Sequence, residues 1–81
     1  MNKLTKENHY SKEVGYKLSL LRKDLQISQK DLGKRLNKPQ SYISKIELGE
    51  RQINIFELFE YLTKLNVNLK DFIDNLSFIS S

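Results

Sequence analysis

Apolar residues recur at helical spacing along most of the chain, and no stretch alternates apolar and polar residues as a half-buried strand does. The first apolar stripe repeats at positions i, i+4, i+7 and i+11. It consists of Val14, Leu18, Leu21 and Leu25. Similar stripes follow to the end of the chain. The pattern predicts five short helices in one all-α domain.

Turn and cap residues predict where the second and third helices begin and end. Ser28, with Asp31 three residues later, resembles a capping box and starts the second helix. Asn37 suits a left-handed turn, because asparagine adopts that conformation more readily than most residues. Pro39 fits a helix start and Gly49 a helix end. The third helix is therefore expected from Gln40 to Leu48.

The last two helices carry most of the aromatic residues. Asn54 opens the fourth helix and Asn66 ends it, and Asn68 opens the fifth. The inner stripe of the fourth helix is expected to be Ile55, Leu58, Phe59, Leu62 and Leu65. By spacing, the aromatic residues expected in the core are Phe59, Tyr61, Phe72 and Phe78. Phe56 lies far from the stripe and is expected to be exposed.

Two further features bear on the organisation of the domain. Residues 1–12 are polar without a sustained period, which predicts a flexible arm, followed by a folded domain at 13–77 and a tail at 78–81. Gly33 lies inside the second helix, where glycine costs about 1 kcal/mol relative to alanine. Its presence suggests that another helix passes too close for a side chain.

Charge is unevenly distributed along the 81 residues. Lys and Arg outnumber Asp and Glu by 12 to 6 in residues 1–51, whereas residues 52–81 carry 2 positive and 4 negative charges. The positive half contains the second and third helices, so a polyanion is the expected partner. Cysteine is absent, which excludes disulfides and thiolate metal sites. No apolar run or secretory signal suggests a membrane, so a cytoplasmic protein is expected. Alanine is absent while Lys, Asn and Ile are abundant, which hints at an AT-rich bacterial gene.

The third helix has one apolar side and one polar side. Ile43 and Ile46 point towards the core, while Ser41, Ser44, Lys45 and Leu48 point away from it, with Gln40 at the exposed N-terminal end. Two short helices joined by few residues cross steeply, which leaves the second one prominent on the surface, as in proteins that bind the DNA major groove. Glutamine can pair with adenine and lysine with guanine. The alternative is an ordinary solvated face.

These residues resemble the Cro/repressor-type (XRE-like) helix-turn-helix family over about residues 14–76. The resemblance is carried by Arg22, the SQKDL and YISKIE segments, Gly49-Glu50-Arg51, and Asn66-Val67-Asn68-Leu69. It implies a lambda-repressor-like five-helix fold, double-stranded DNA binding and frequent homodimers. Three residues depart from the family pattern while fitting the same backbone: Gly33, Asn37 and Pro39.

The resemblance also implies roles for individual residues. Base contacts fall to Gln40, Ser41, Ser44 and Lys45, and a phosphate contact to Gln29 at the start of the second helix. Further candidates for phosphate contact are Arg22, Lys30, Lys38, Tyr42 and Arg51. For Tyr42, packing over Ile46 is an alternative of equal weight to a contact with DNA. In this family Arg22 and Glu47 form a structural ion pair, and Arg22 can also face a phosphate.

The expected function is a dimeric transcription regulator, most simply a repressor, that binds a palindromic operator. The candidates for the dimer interface are Phe56, Phe78 and Ile79. Restriction–modification controller proteins and antitoxins are the alternatives, and an antitoxin would also bind a toxin. A purely structural helical adaptor is a further class. His9 is the only histidine, and no catalytic group, metal site, cofactor or small-molecule ligand is expected.

Overall fold

The computed structural model describes residues 2–77, with side chains from residue 9 onward, and this part of the chain contains helices and no strand. The helices are α1 (Asn2–Asp24), α2 (Gln29–Leu36), α3 (Gln40–Glu47), α4 (Ile55–Lys64) and α5 (Leu69–Asp74). The predicted five-helix, all-α domain is confirmed. Between residues 2 and 77, no helix combines the length and the apolar content needed to cross a bilayer.

The first helix is longer than its apolar stripe. α1 begins at Asn2, so residues 2–12, which the polar pattern assigned to an arm, are helical. Tertiary contact supports this extension: a Cβ atom added to Gly49 would lie 2.7 Å from the Cα of Lys12. Tyr10 and Ser11 line a cleft together with Ile53. Polarity along the sequence does not reveal contacts of this kind.

Four helices end in the same backbone turn, which needs a residue with positive φ. These residues are Gln26, Asn37, Gly49 and Asn66, with φ of 58°, 56°, 76° and 57°. After α3, for example, the N–H of Glu50 donates to the carbonyl of Lys45 at 2.9 Å and that of Gly49 to Ile46 at 3.0 Å. The turns at Asn37, Gly49 and Asn66 are as predicted, whereas glutamine gives no such signal at position 26.

Three helices begin at the predicted side-chain caps. The Ser28 hydroxyl accepts from the N–H of Asp31 at 3.0 Å. Asn54 and Glu57 form a complete capping box, with each side chain accepting from the backbone N–H of the other residue at 2.8 and 3.0 Å. Asn68 caps α5. Pro39 precedes α3 and provides no side-chain cap.

The core lies where the five helices meet. Its buried apolar residues are Leu18, Leu32, Ile43, Ile46, Leu58, Tyr61, Leu62, Leu65, Phe72 and Leu76. Two residues predicted to be inside α4, Ile55 and Phe59, are instead 52% and 58% exposed. The reason is that α4 is rotated so that Tyr61, and not Phe59, faces the core.

Other side-chain placements refine the predicted pattern. Phe56 is 78% exposed, as predicted. Leu25, which was assigned to the apolar stripe of the first helix, is 49% exposed. The close neighbour of Gly33 is the turn before α3 and not another helix, because an added Cβ atom would lie 2.7 Å from the carbonyl oxygen of Lys38.

Candidate nucleic-acid interface

The third helix shows a continuous polar surface to solvent. Ile43 and Ile46 are fully buried and fix the rotation of α3 against the core. The opposite side carries the four residues predicted to contact bases, which we term the reading face: Gln40, Ser41, Ser44 and Lys45. Three of them are exposed and Ser44 is half-buried. The hydrophilic side of α3 is therefore accessible from solvent within the described chain.

The C-terminal turn of α3 lies directly against the backbone of α1. A Cβ atom placed on Gly15 would lie 2.9 Å from the carbonyl oxygen of Glu47 and closer still to that of Ile46. Only a glycine allows the two helices to approach this closely. α1 therefore supports the end of α3 that lies farthest from Gln40.

A buried ion pair joins the same two helices. The Nε and Nη2 atoms of Arg22 donate to Oε2 and Oε1 of Glu47 at 2.7 and 2.9 Å, and Nη1 donates to the carbonyl of Ile27 at 2.7 Å. The two side chains are only 8% and 6% exposed. Two donors of Arg22 bind the two oxygens of Glu47, and a third binds the backbone. This pair therefore fixes the distance and the angle between α1 and α3.

The carboxylate of Glu47 accepts two more hydrogen bonds. Gln29 Nε2 donates to Oε1 at 2.9 Å and the hydroxyl of Tyr61 to Oε2 at 3.0 Å. Burial alone would raise the pKa of Glu47, but hydrogen bonds from Arg22, Gln29 and Tyr61 outweigh it and lower the pKa. Side chains from α1, α2 and α4 thus converge on the ionised carboxylate of Glu47 on α3.

Spacing along the sequence predicts Tyr61 in the core but indicates no further role for it. Its hydroxyl needs a partner, because a buried tyrosine rarely leaves its O–H unpaired. Burial, followed by the charge of Glu47, raises the pKa of Tyr61, so the phenol stays protonated and donates. The sequence signal for this hydrogen bond was a tyrosine within an otherwise apolar stripe. That signal indicates a buried hydroxyl but does not identify its acceptor.

The hydrogen-bonded cluster extends to the reading face. Gln40 Nε2 donates to Oε1 of Gln29 at 3.4 Å. The first residue of α3 thus contacts the first residue of α2, and through it the Glu47 carboxylate. Gln29 is half-buried, whereas Gln40 is exposed.

A second cluster lies at the other edge of α3. Arg51 Nη2 and Nη1 donate to Oε2 and Oε1 of Glu57 at 2.9 and 3.1 Å. The ring of Tyr42 lies 4.7 Å from the Arg51 guanidinium and 5.2 Å from the Lys38 ammonium. Hydrogen bonds from Arg51, and then from the backbone of Asn54, lower the pKa of Glu57 to about 2. Arg51 therefore ties α3 to the start of α4.

The remaining predicted residues lie around these clusters. Lys30 and Lys38 are exposed near the starts of α2 and α3. Phe56 is exposed on α4, while Phe78 and Ile79 lie outside the described residues. In the part of the chain with described side chains, no three His, Asp or Glu residues gather where they could hold a metal ion.

The comparison with known families agrees with this arrangement. A family model described as helix-turn-helix matches residues 18–72, which is more than half of the chain and extends from the middle of α1 into α5. No curated protein is similar enough in sequence to count as a relative. The matched segment contains the α2–turn–α3 unit, its supporting ion pair and the whole reading face. The chain therefore belongs to the Cro/repressor-type (XRE) helix-turn-helix family of DNA-binding transcriptional regulators.

Proposed function

We propose that the protein is a transcriptional repressor that binds a palindromic operator as a homodimer and places α3 in the major groove. One observation carries this proposal. The buried side of α3 is apolar, whereas its accessible side is made of hydrogen-bonding residues and a lysine. Repression then follows from steric exclusion of polymerase at an operator that overlaps a promoter. This role needs no enzymatic activity, metal or cofactor.

The side chains of the reading face divide by chemistry. Gln40 offers a donor and an acceptor and matches the N7 and N6 groups of adenine. Lys45 offers donors alone and matches O6 and N7 of guanine. Ser41 and Ser44 can bind either base and add little discrimination. We therefore assign specificity mainly to Gln40 and Lys45.

Phosphate contacts flank the reading face in this proposal. Gln29 and Lys30 lie at the start of α2, where free N–H groups and the helix dipole favour an anion. Lys38 and Tyr42 lie on the other flank.

We assign a phosphate contact to Arg51, whose side chain binds Glu57 and is 40% exposed. Arg22 was a candidate for the same role, but its side chain is 8% exposed and its donors bind Glu47 and Ile27. The main role of Arg22 is therefore to orient α3.

Substitutions on the reading face test the proposal. We expect Gln40→Ala and Lys45→Ala each to cost about 1–3 kcal/mol of binding free energy on the cognate operator and to relax the preference at one base pair. The measurement is competition binding, by fluorescence anisotropy, to a duplex selected by the protein from a random library. Lys64→Ala, which removes a lysine at the end of α4, is the matched control and should bind like the parent.

The contrary result is equally clear. If both variants retain the affinity and the base preferences of the parent protein, α3 does not read the operator in the proposed orientation.

The exposed apolar side of α4 supports the homodimer. Ile55, Phe56 and Phe59 are 52%, 78% and 58% exposed on adjacent turns. We propose that a second copy covers them, because one recognition helix reads too few base pairs, and two-fold symmetry places two half-sites about 34 Å apart. The tail residues Phe78 and Ile79 remain candidates for the same interface.

A charge placed on this side of α4 should separate the copies. We expect Phe56→Glu to shift the protein from dimer to monomer in sedimentation equilibrium, while Lys64→Glu leaves the dimer intact. A dimer that survives Phe56→Glu would exclude this surface as the interface. Co-purification of a second small protein bound to it would favour the antitoxin function over that of a plain repressor.

A further inference from the structure

We propose that Tyr61, a core residue of α4 with no access to DNA, is a positioning residue that sets how Gln40 presents its amide to a base. The inference rests on the proposed function, because it assumes that Gln40 reads the operator. It concerns three successive contacts that connect the two residues, from Tyr61 to Glu47, from Glu47 to Gln29, and from Gln29 to Gln40.

We term these three contacts the relay. The buried carboxylate of Glu47 determines which group donates and which accepts in each of its hydrogen bonds. Glu47 is ionised and can only accept hydrogen bonds, so Gln29 must turn its NH₂ group towards it, at 2.9 Å. The carbonyl oxygen of Gln29 then faces outward and can only accept. Gln40 must therefore donate from its NH₂ group, as observed, with 3.4 Å between its Nε2 and Oε1 of Gln29. Neither amide can turn over without placing two acceptors against each other.

The direction of these hydrogen bonds has a consequence for recognition. One hydrogen of the Gln40 NH₂ group is used within the protein, which leaves the second hydrogen and the carbonyl oxygen for DNA. A donor and an acceptor side by side match N7 and the N6 amino group of adenine. The relay therefore favours adenine at the base pair opposite Gln40.

Tyr61 contributes by completing the set of donors around the carboxylate. Arg22 Nε and Tyr61 Oη share Oε2, while Arg22 Nη2 and Gln29 Nε2 share Oε1. With two donors on each oxygen, the carboxylate plane is fixed. Without the phenol, Oε2 keeps only its contact with Arg22, so the carboxylate tilts more freely about the bidentate pair, which loosens Gln29 and, through it, Gln40. Tyr61 is fully buried, so it does not contact DNA itself.

The variant Tyr61→Phe tests the relay because it removes one oxygen and keeps the ring. We expect the preference for adenine opposite Gln40 to fall by about three- to tenfold, with affinity for non-specific duplexes unchanged within about twofold. In a Gln40→Ala background the same substitution should have no further effect. The matched control is Tyr16→Phe, which removes the hydroxyl of an exposed tyrosine on α1 and should leave every preference intact.

Each other outcome overturns a defined part of the inference. An equal loss on all duplexes, or the same loss with and without Gln40, would mean that Tyr61 acts through stability alone. If Gln40→Ala leaves every base preference intact, Gln40 does not read DNA and the relay has no target. If the parent protein selects no sequence from a random library, the proposed function itself fails.

A second readout uses the unaltered protein and does not depend on the folding of a variant. The hydroxyl proton of Tyr61 should be observable by NMR because it is buried and hydrogen-bonded. We expect its signal to move when the selected operator binds and to stay in place with a duplex in which that adenine is replaced. A signal that responds equally to both duplexes, or to neither, would contradict the relay.

Discussion

Replacing Glu47 by alanine is expected to lower the free energy of unfolding by about 3–5 kcal/mol, which is a large share of the stability of a small domain. The loss is large because Arg22 would remain buried without its counter-charge. Tyr61 and Gln29 would lose their acceptor at the same time. Urea denaturation followed by circular dichroism measures the change.

Two further variants separate the buried ion pair from general sensitivity of the region. Glu50→Ala removes an exposed glutamate just after α3 and should change stability by less than about 0.5 kcal/mol. The double variant Arg22→Met with Glu47→Leu should be more stable than Glu47→Leu alone, because no unpaired charge stays buried. If Glu47→Ala unfolds at the urea concentration of the parent, the ion pair does not hold α3 in place.

Gly15→Ala is expected to destabilise the protein by about 1–3 kcal/mol, although the substitution favours helix formation. By helix propensity alone, alanine inside α1 would stabilise by about 1 kcal/mol relative to glycine. The added methyl group meets the backbone carbonyl groups of Ile46 and Glu47, so α1 and α3 must move apart. The close approach reverses the sign of the effect.

Thermal unfolding of Gly15→Ala gives this sign directly. Lys23→Ala, at an exposed position of the same helix, controls for changes in helix propensity and should leave the midpoint nearly unchanged. A midpoint above that of the parent protein would mean that α1 and α3 have room for the methyl group and do not approach as closely as the surroundings of Gly15 indicate.

Signals that act within a few residues predicted the helix boundaries well. The caps at Ser28, Asn54 and Asn68 and the left-handed turns at Asn37 and Gly49 depend only on neighbouring backbone groups. Such preferences can be recognised in a single sequence because a Ser or Asn side chain caps a backbone N–H only a few residues away. Asn and Gly also adopt a positive φ at their own position more readily than other residues do.

Two features that depend on tertiary packing were not predicted from the sequence. The polar first half of α1 is helical and contacts the turn after α3. The rotation of α4 exposes Phe59, which was predicted to lie in the core with Tyr61. A helical wheel shows which residues share a side of a helix. It does not show which side a neighbouring helix covers, because that depends on the whole arrangement.

The candidate site shows the same division. The exposure of Gln40, Ser41 and Lys45 follows from the two buried isoleucines of α3 and was predicted from spacing. The pairing of Arg22 with Glu47 was implied by resemblance to a family. The contact between Tyr61 and Glu47 joins α4 to α3, and only a three-dimensional arrangement shows which acceptor the phenol reaches.

An NMR titration of ¹⁵N-labelled protein with the selected operator duplex tests directly whether the accessible side of α3 enters the major groove. We expect the largest chemical-shift changes at Gln40, Ser41, Ser44 and Lys45, with the start of α2 next. Changes concentrated on the outer side of α4 or on α5, with α3 unaffected, would contradict this placement of α3.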